Sequence, residues 1–420
     1  MSGGTGDGGE LRAAVVTEVG GWLAEQWDPD LSLVEWRRRL AASGWAVPSW
    51  PRRWGGRELP AWADGEVAAA IAGAGAVGLP VGSGVGLAAP TILAHGSDAV
   101  RARFLPPIVT GEEIWCQLFS EPGAGSDLAG LTTTAVRDGD EWVVNGQKVW
   151  TTSAHHADFG LLVARTDWDA PKHRGLTYFA LPMRQPGVEA RPLRQMNDHR
   201  SFNEVFLTDA RIPAAWTIGE PGEGWRVALT TLAHERRFGT LGRPVLPSST
   251  GRVVSEAHRE ADAHFATYDW YPQRAGRVDL VVERARATGR SADPVVRQSI
   301  ARLLSWHSTG QWTARRAEAA RRLGRQPGAE GSIGKLGRSV VARQAAAVHA
   351  MLAGASGTLS GADGPLDGVI AEVLVSVPAQ SIAGGTDEIQ RNILAERMLG
   401  LPREPAPDKD IPFRAALRSS

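Results

Sequence analysis

The chain has 420 residues, more than one hydrophobic core usually organises, so two or three domains are expected. Its 46 Lys and Arg balance 46 Asp and Glu, which argues against a nucleic-acid footprint, and its one cysteine, Cys116, excludes an intrachain disulfide and most cysteine-based metal sites. The opening MSGGTGDGGE lacks the basic region and apolar core of a signal peptide, so a cytoplasmic location is expected.

Leu11 to Trp27 places Leu11, Val15, Val19, Trp22 and Leu23 near helical spacing, and Leu33 to Ala42 predicts a second helix ending at Gly44. Trp45 to Pro60 is dense in Pro, Gly and Trp and reads as a connecting loop whose tryptophans anchor packing. Beyond the carboxylate at Glu66, the long apolar run through Ala94 raises the question of a membrane span. Pro80, Pro90 and many glycines interrupt it, so buried helix, turn, buried helix is the reading and no span is expected. His95 to Phe104 adds a charged helical segment, and Leu105-Pro106-Pro107 leads out of it. Residues 1–112 are therefore expected to form an all-helical domain.

From Trp115 to about Ile212 the signals turn to β. An apolar run, Trp115 to Phe119, breaks into the turn Ser120-Glu121-Pro122-Gly123-Ala124-Gly125-Ser126-Asp127. Two hairpin signals follow, Asp138-Gly139 and Asn145-Gly146. The turn is not a dinucleotide fingerprint, which needs a third glycine and an immediate helix. A Ser/Gly turn between strands can still form an anion nest that donates hydrogen bonds to phosphate; as a plain alternative, it is only a turn. Short strands are predicted at Thr132 to Val136, Trp142 to Val144, Gln147 to Trp150, Phe159 to Ala164, Leu176 to Leu181, Val188 to Leu193 and Glu204 to Leu207, as a small barrel or sandwich requires. His155-His156 does not read as a metal site, because adjacent strand residues face opposite ways and no third ligand lies at useful spacing. Residues 113–222 are thus a middle β domain.

Trp225 to Phe238 is predicted as a helix whose apolar stripe passes through Ala228, Thr231 and Leu232 and reaches Glu235, where a core residue would be expected. Glu235 is either paired with Arg236, Arg237 or His234 at the helix edge, or a partly desolvated carboxylate suited to proton abstraction. Pro244 to Gln273 reads as a partly helical excursion. Helices follow at Val278 to Ala287, Pro294 to Leu323, Gly334 to Ala353, Gly368 to Val377 and Asp387 to Leu399, which make residues 223–420 a helix bundle with an insertion near 243–275. The fold class is α+β, in the order helical, β, helical.

Four motifs carry a resemblance: Phe104-Leu105-Pro106-Pro107, the Ser120 to Asp127 turn, Asn145-Gly146-Gln147-Lys148-Val149-Trp150-Thr151-Thr152, and Gly385-Thr386-Asp387-Glu388-Ile389-Gln390-Arg391-Asn392. In this order they make the sequence resemble the FAD-dependent acyl-CoA dehydrogenases over essentially its whole length. The resemblance implies a cofactor, FAD, lined by Gln117, Leu118, Phe119, Ser120, Gly125 and Ser126, with Ser126 reaching the pyrophosphate or the CoA side. Trp150 would stack on the ring, with Thr151 and Thr152 beside it. Thr386, Glu388 and Gln390 would contact the adenosine half across a subunit interface, with Arg286 in a similar role, and Gly384 and Gly385 would lie at the substrate. The implied reaction is α,β-dehydrogenation of an acyl-CoA, with electrons passing to an electron-transferring flavoprotein and a homodimer or homotetramer as the assembly.

The sequence departs from the commonest family pattern at one decisive place. Many relatives carry the catalytic glutamate directly before the Gly-Thr of the last motif, where this chain has Gly384. A minority place the base on the first helix of the C-terminal domain, and Glu235 matches that position, so the resemblance and the helical stripe select the same residue. Arg236 would then contact the thioester end of CoA. The excursion near 243–275 could lid the acyl pocket, build an interface or be a tolerated insertion. Two alternatives stand beside the dehydrogenase: a non-catalytic FAD-binding partner in a mixed oligomer, and a flavin oxidase or monooxygenase on the same scaffold. Aliphatic, branched and steroid side-chain thioesters all suit the sequence.

Overall fold

The architecture was analysed in a computed structural model, which describes residues 6–238, 245–322, 329–406 and 409–416. The chain divides into two compact units. One comprises residues 1–193, 201–267 and 406–420, and the other 194–200 and 268–405.

The first unit begins with α1 (Gly6–Gln26), α2 (Leu33–Ala42) and α3 (Ala63–Gly73). Ser32 and Glu35 form a capping box that starts α2 by satisfying orphan amides on both sides. Val15, Val19 and Leu23 meet Trp36, Leu40, Val67 and Ile71 in one buried cluster, each aliphatic side chain contributing about 1.5–3 kcal/mol. The Trp36 indole N–H, buried there, donates to the Val77 carbonyl at 2.6 Å. The apolar run is divided between α3 and α4 (Ala89–His95), joined by a turn and a π-helical segment at Gly84–Ala88. α5 (Asp98–Thr110) continues straight through Pro106-Pro107, the expected exit. It does so because Leu105, Ile108 and Val109 are buried, and because the Thr110 hydroxyl donates to the Pro106 and Pro107 carbonyls at 3.2 and 3.3 Å.

Seven strands form one sheet: β1 (Trp115–Leu118), β2 (Thr134–Asp138), β3 (Glu141–Thr152), β4 (Phe159–Arg165), β5 (Leu176–Pro182), β6 (Val188–Leu193) and β7 (Phe202–Pro213). The order is β1-β4-β2-β3-β7-β6, with β5 on β4. Asp138-Gly139 does mark a hairpin, between β2 and β3. Asn145-Gly146 does not: β3 runs on through it, and the pairing with β7 slips there as a bulge. Gly146 is required by contact, since a Cβ would stand 2.4 Å from the Thr133 hydroxyl and 2.7 Å from its Cα. His155 and His156 sit on a 3-10 turn rather than a strand, so their rings lie together, with centroids 3.8 Å apart.

Beneath β3 lies a buried ion pair. Lys148 Nζ donates to the Phe119 carbonyl (3.0 Å), the Val163 carbonyl (2.9 Å) and Glu121 Oε1 (2.9 Å). The same carboxylate accepts the amides of Thr132 (2.7 Å) and Thr133 (2.9 Å). Burial alone would raise the Glu121 carboxyl, but the Lys148 charge and these hydrogen bonds outweigh it and hold it below its ordinary value. The pair therefore ties β3 and β4 to the turn that follows β1.

α6 (Gly224–Phe238) and α7 (Arg252–Ala266) also belong to this unit. α7 is the helix that the excursion contributes to this unit; residues 243 and 244 lie outside the described residues. Its Val253, Val254 and Ala257 join the α1–α3 core, its Glu256 accepts the Leu33 amide at 2.7 Å, and its Glu260 pairs with the buried Arg37 at 3.0 Å. Late in the chain, Pro412 bridges Pro171, and buried Phe413 lies under the Arg165 guanidinium at 3.5 Å.

The second unit holds α8 (Tyr271–Arg274), α9 (Val281–Ala287), α10 (Pro294–Arg322), α11 (Glu330–Ala353), α12 (Val369–Ser376), α13 (Pro378–Ile382) and α14 (Asp387–Arg397). Val369–Arg397 is long and apolar enough to cross a membrane, yet the backbone breaks it into three helices. Asp387, in the first turn of α14, is buried between Lys335 (3.2 Å) and Arg343 of α11. Burial would raise its carboxyl, but Arg343, Ser339 and Lys335 together bring it down to about 2.

Lys148→Met leaves the Glu121 charge buried and unpaired, and is expected to cost about 3–5 kcal/mol in a urea titration; a loss below about 1 kcal/mol would show that the backbone alone holds the turn. Asp387 has a depressed folded pKa, so its stabilisation is present above its unfolded value and is lost as pH falls toward about 2. Melting of Asp387→Asn between about pH 5 and pH 3 should accordingly vary less with acid than that of the wild type.

Candidate active site

Two elements of the first unit bring the central candidates together. β1 alternates so that Cys116 and Leu118 are buried in the sheet core while Gln117 stays partly exposed on the other face. α6 buries Val227, Ala228 and Thr231, and Glu235 follows half-buried on the same stripe. Gln117 Nε2 donates to Glu235 Oε2 at 3.1 Å. The amide fixes one carboxylate oxygen and with it the side-chain orientation. Cys116, next to Gln117, is no competing nucleophile, because burial pushes its thiol up to about 12.

One turn back on α6, Thr231 anchors a chain of hydroxyls. Its Oγ1 lies 2.9 Å from Thr91 Oγ1 and 2.8 Å from the Tyr178 hydroxyl, all buried. Burial raises the Tyr178 hydroxyl far above its ordinary range, the Thr231 bond offsets part of this, and the Glu235 charge adds to the rise. The phenol is therefore neutral and joins α4, β5 and α6 without bringing a second charge toward the carboxylate. Sequence patterning missed this triad, because each member lies in a different element.

The remaining candidates of the first unit cluster after β1 and at the end of β3. Leu118 and Phe119 turn their side chains into the two cores, and the Ser120 carbonyl accepts the Val149 amide at 2.9 Å. Gly125 and Ser126 are exposed on the open turn, where a Cβ at Gly123 or Gly125 would meet nothing within 4 Å. Trp150 adopts φ +62, unusual for a bulky residue, and stands 55% exposed, edge-on to Phe202 at 5.8 Å. Thr151 is buried, and its Oγ1 has no hydrogen-bond partner. Thr152 beside it is half-buried. The Arg236 side chain lies outside the described residues.

The other candidates belong to the second unit. Arg286 is exposed on α9. Gly384 and Gly385 take positive φ (68 and 84), and Thr386 caps α14 by accepting the Ile389 amide at 3.2 Å. Gln390 is buried and donates to the Gly384 and Gly385 carbonyls at 3.1 and 3.3 Å, while its Oε1 is unpartnered. Glu388 is exposed and lies 3.3 Å from Arg391.

Three family models match in order: the acyl-CoA dehydrogenase N-terminal domain over residues 10–112, the middle domain over 116–210 and the C-terminal domain over 274–399. Acyl-CoA dehydrogenase IpdE1 of Mycobacterium tuberculosis is 36% identical over 419 residues, covering 94% of this chain and 98% of its own. Among solved structures, the ChsE4-ChsE5 complex from Mycobacterium tuberculosis matches with a TM-score of 0.63 at 28% identity, covering 96% of this chain and 100% of that one. The Tcur3481-Tcur3483 steroid ACAD matches with a TM-score of 0.63 at 26% identity, covering 94% and 98%. The chain belongs to the FAD-dependent acyl-CoA dehydrogenase family and is an oxidoreductase acting on acyl-CoA.

Proposed function

We propose that this enzyme converts an acyl-CoA to the trans-2-enoyl-CoA, with Glu235 as the base that takes the α-proton. The observation that carries the reading is the 3.1 Å hydrogen bond from Gln117 to Glu235. It ties the carboxylate to the strand that, by family resemblance, borders the flavin. Gly384, at the position where many relatives carry their base, has no side chain to compete for the role. FAD, when bound, supplies the acceptor for the β-hydrogen as hydride.

The residues of this chain fit that cofactor. The orphaned Thr151 hydroxyl supplies a buried polar atom in need of a partner, and the exposed Trp150 indole supplies an aromatic plate that excludes water. Gln117, Leu118, Phe119, Ser120, Gly125, Ser126 and Thr152 would complete its hold, the first four along β1 and its exit, the next two through the open turn. Thr386, Glu388, Gln390 and Arg286 are proposed for the adenosine half, Arg236, Gly384 and Gly385 for the substrate. Within this site Glu235 holds the abstracted proton, Gln117 keeps its carboxylate aligned, and neutral Tyr178 adds no second charge beside it.

The proposed substrate is a bulky acyl-CoA. Gly82, Gly84, Gly86 and Ala88 keep the turn and π-helical segment packed on α6 slender, and one similar structure is that of a steroid ACAD. An electron-transferring flavoprotein is the proposed acceptor, in a cytoplasmic homodimer or homotetramer. The paired chains of the ChsE4-ChsE5 complex and the Tcur3481-Tcur3483 steroid ACAD favour a mixed oligomer as the second reading, with this chain contributing the base.

Anaerobic titration of the flavin-loaded protein with acyl-CoAs tests the assignment. Some thioester should bleach the wild-type flavin, and Glu235→Gln should retain flavin while bleaching about 10²–10⁴-fold more slowly. Bleaching at the wild-type rate in the variant removes Glu235 as the base; peroxide formed stoichiometrically in air would instead favour the oxidase.

A further inference from the structure

The end of β3 is held in a backbone conformation that its residues do not favour on their own. Trp150 and Ser153 take φ +62 and +56, the left-handed region that side chains disfavour, and between them lie Thr151 and Thr152. β3 also slips there against β7. Lys148 pairs with Val205 and Thr151 with Asn203, so Val149 and Trp150 together face Glu204 alone, as in a β-bulge. Such strain persists only where neighbouring contacts over-determine it, and it gathers at sites that bind or react.

The contacts that hold this segment come from both sides. The Val149 amide donates to the Ser120 carbonyl, beyond β1, at 2.9 Å. Opposite, Asn203 of β7 is fully buried; its Nδ2 donates to the Thr151 carbonyl at 2.9 Å, and its Oδ1 lies 3.0 Å from His155 Nδ1. A carbonyl cannot donate, so the Asn203 amide must face Thr151, its Oδ1 must accept, and the imidazole proton sits on Nδ1. Partial burial and the neighbouring His156 hold His155 below its ordinary pKa, against the Asn203 bond, so the ring is neutral at pH 7. His155, on the turn that follows β3, keeps the amide from flipping, and the amide keeps the Thr151 carbonyl in place. Fixed with it are the buried Thr151 Oγ1, which has no partner, and the exposed Trp150 indole.

We propose that Asn203, set by His155, is a positioning residue that holds the strained segment from Trp150 to Ser153 in the shape that receives the flavin. Both residues act through Trp150 and Thr151. Because the segment is already folded into this shape, the binding energy of the cofactor is not spent on ordering it. The inference rests on the reading that places the flavin at Trp150 to Thr152, and adds the groups that prepare that place.

The test is made on the flavin-loaded protein, reading the fluorescence of the bound flavin, which a stacked aromatic ring quenches, the rate of flavin release on dilution, and the melting temperature. Trp150→Leu reports on the underlying site; Asn203→Leu, His155→Leu and His155→Gln report on the clamp. Asn203→Leu should release flavin about tenfold faster, as expected for one lost hydrogen bond, and raise the bound-flavin fluorescence toward that of Trp150→Leu. His155→Leu should speed release about fivefold, and His155→Gln, which can still donate to Asn203, should stay within about twofold of the wild type. If Trp150→Leu changes the flavin signals while Asn203→Leu and His155→Leu only melt earlier, the inference falls and the flavin site stands. If Trp150→Leu leaves both flavin signals unchanged, the site reading and the inference fall together. Should Asn203→Leu not fold, the two His155 variants decide: equal flavin release from both overturns the clamp.

Discussion

The constraint on which the first unit depends is a charge placed where water cannot reach it. Lys148 emerges from β3 into the core and must find its hydrogen bonds inside the protein, which it does at Phe119 just past β1, on β4 and at Glu121. A buried ammonium is tolerable only with such complete pairing. Glu121 in turn binds two successive amides at Thr132 and Thr133, and so fixes both ends of the turn that carries Gly125 and Ser126. The exit of β1, two residues beyond Gln117, is held by this pair, while the strand itself is laddered to β4.

The candidate site is assembled above that base from short-range polar contacts between elements far apart in sequence. Gln117 and Glu235 are separated by 118 positions, and Thr91 and Thr231 by 140. Each is a single hydrogen bond of modest net strength. Their value is geometric: the carboxylate is oriented by an amide, and the helix that carries it is indexed against α4 and β5 by hydroxyls that hold no charge.

Much of this was legible in the sequence where local pattern and burial agree. The continuous apolar runs of β4 and β5, buried on both faces, the stripe of α6 ending in Glu235 and the tryptophan anchors of the first core all follow from local pattern. The failures occur where tertiary contact overrides a local signal. Asn145-Gly146 has the composition of a hairpin turn, but Thr133 presses against Gly146 and β7 continues the ladder, so a bulge forms instead. Pro106-Pro107 has the composition of a helix stop, yet the buried side chains around it keep α5 intact. The excursion carried no periodic signal strong enough to indicate that α7 would bury Val253, Val254 and Ala257 among residues some two hundred positions earlier.

The return of Phe413 to Arg165 has a consequence for how the chain is made. The first unit is written in three separate segments, with nearly all of the second unit encoded between the second and the third. During vectorial synthesis the residues of α8 to α14 leave the ribosome before Phe413 does. The second unit can thus settle while the aromatic face that covers Arg165 is still absent, and the first unit is completed only by a segment translated after it.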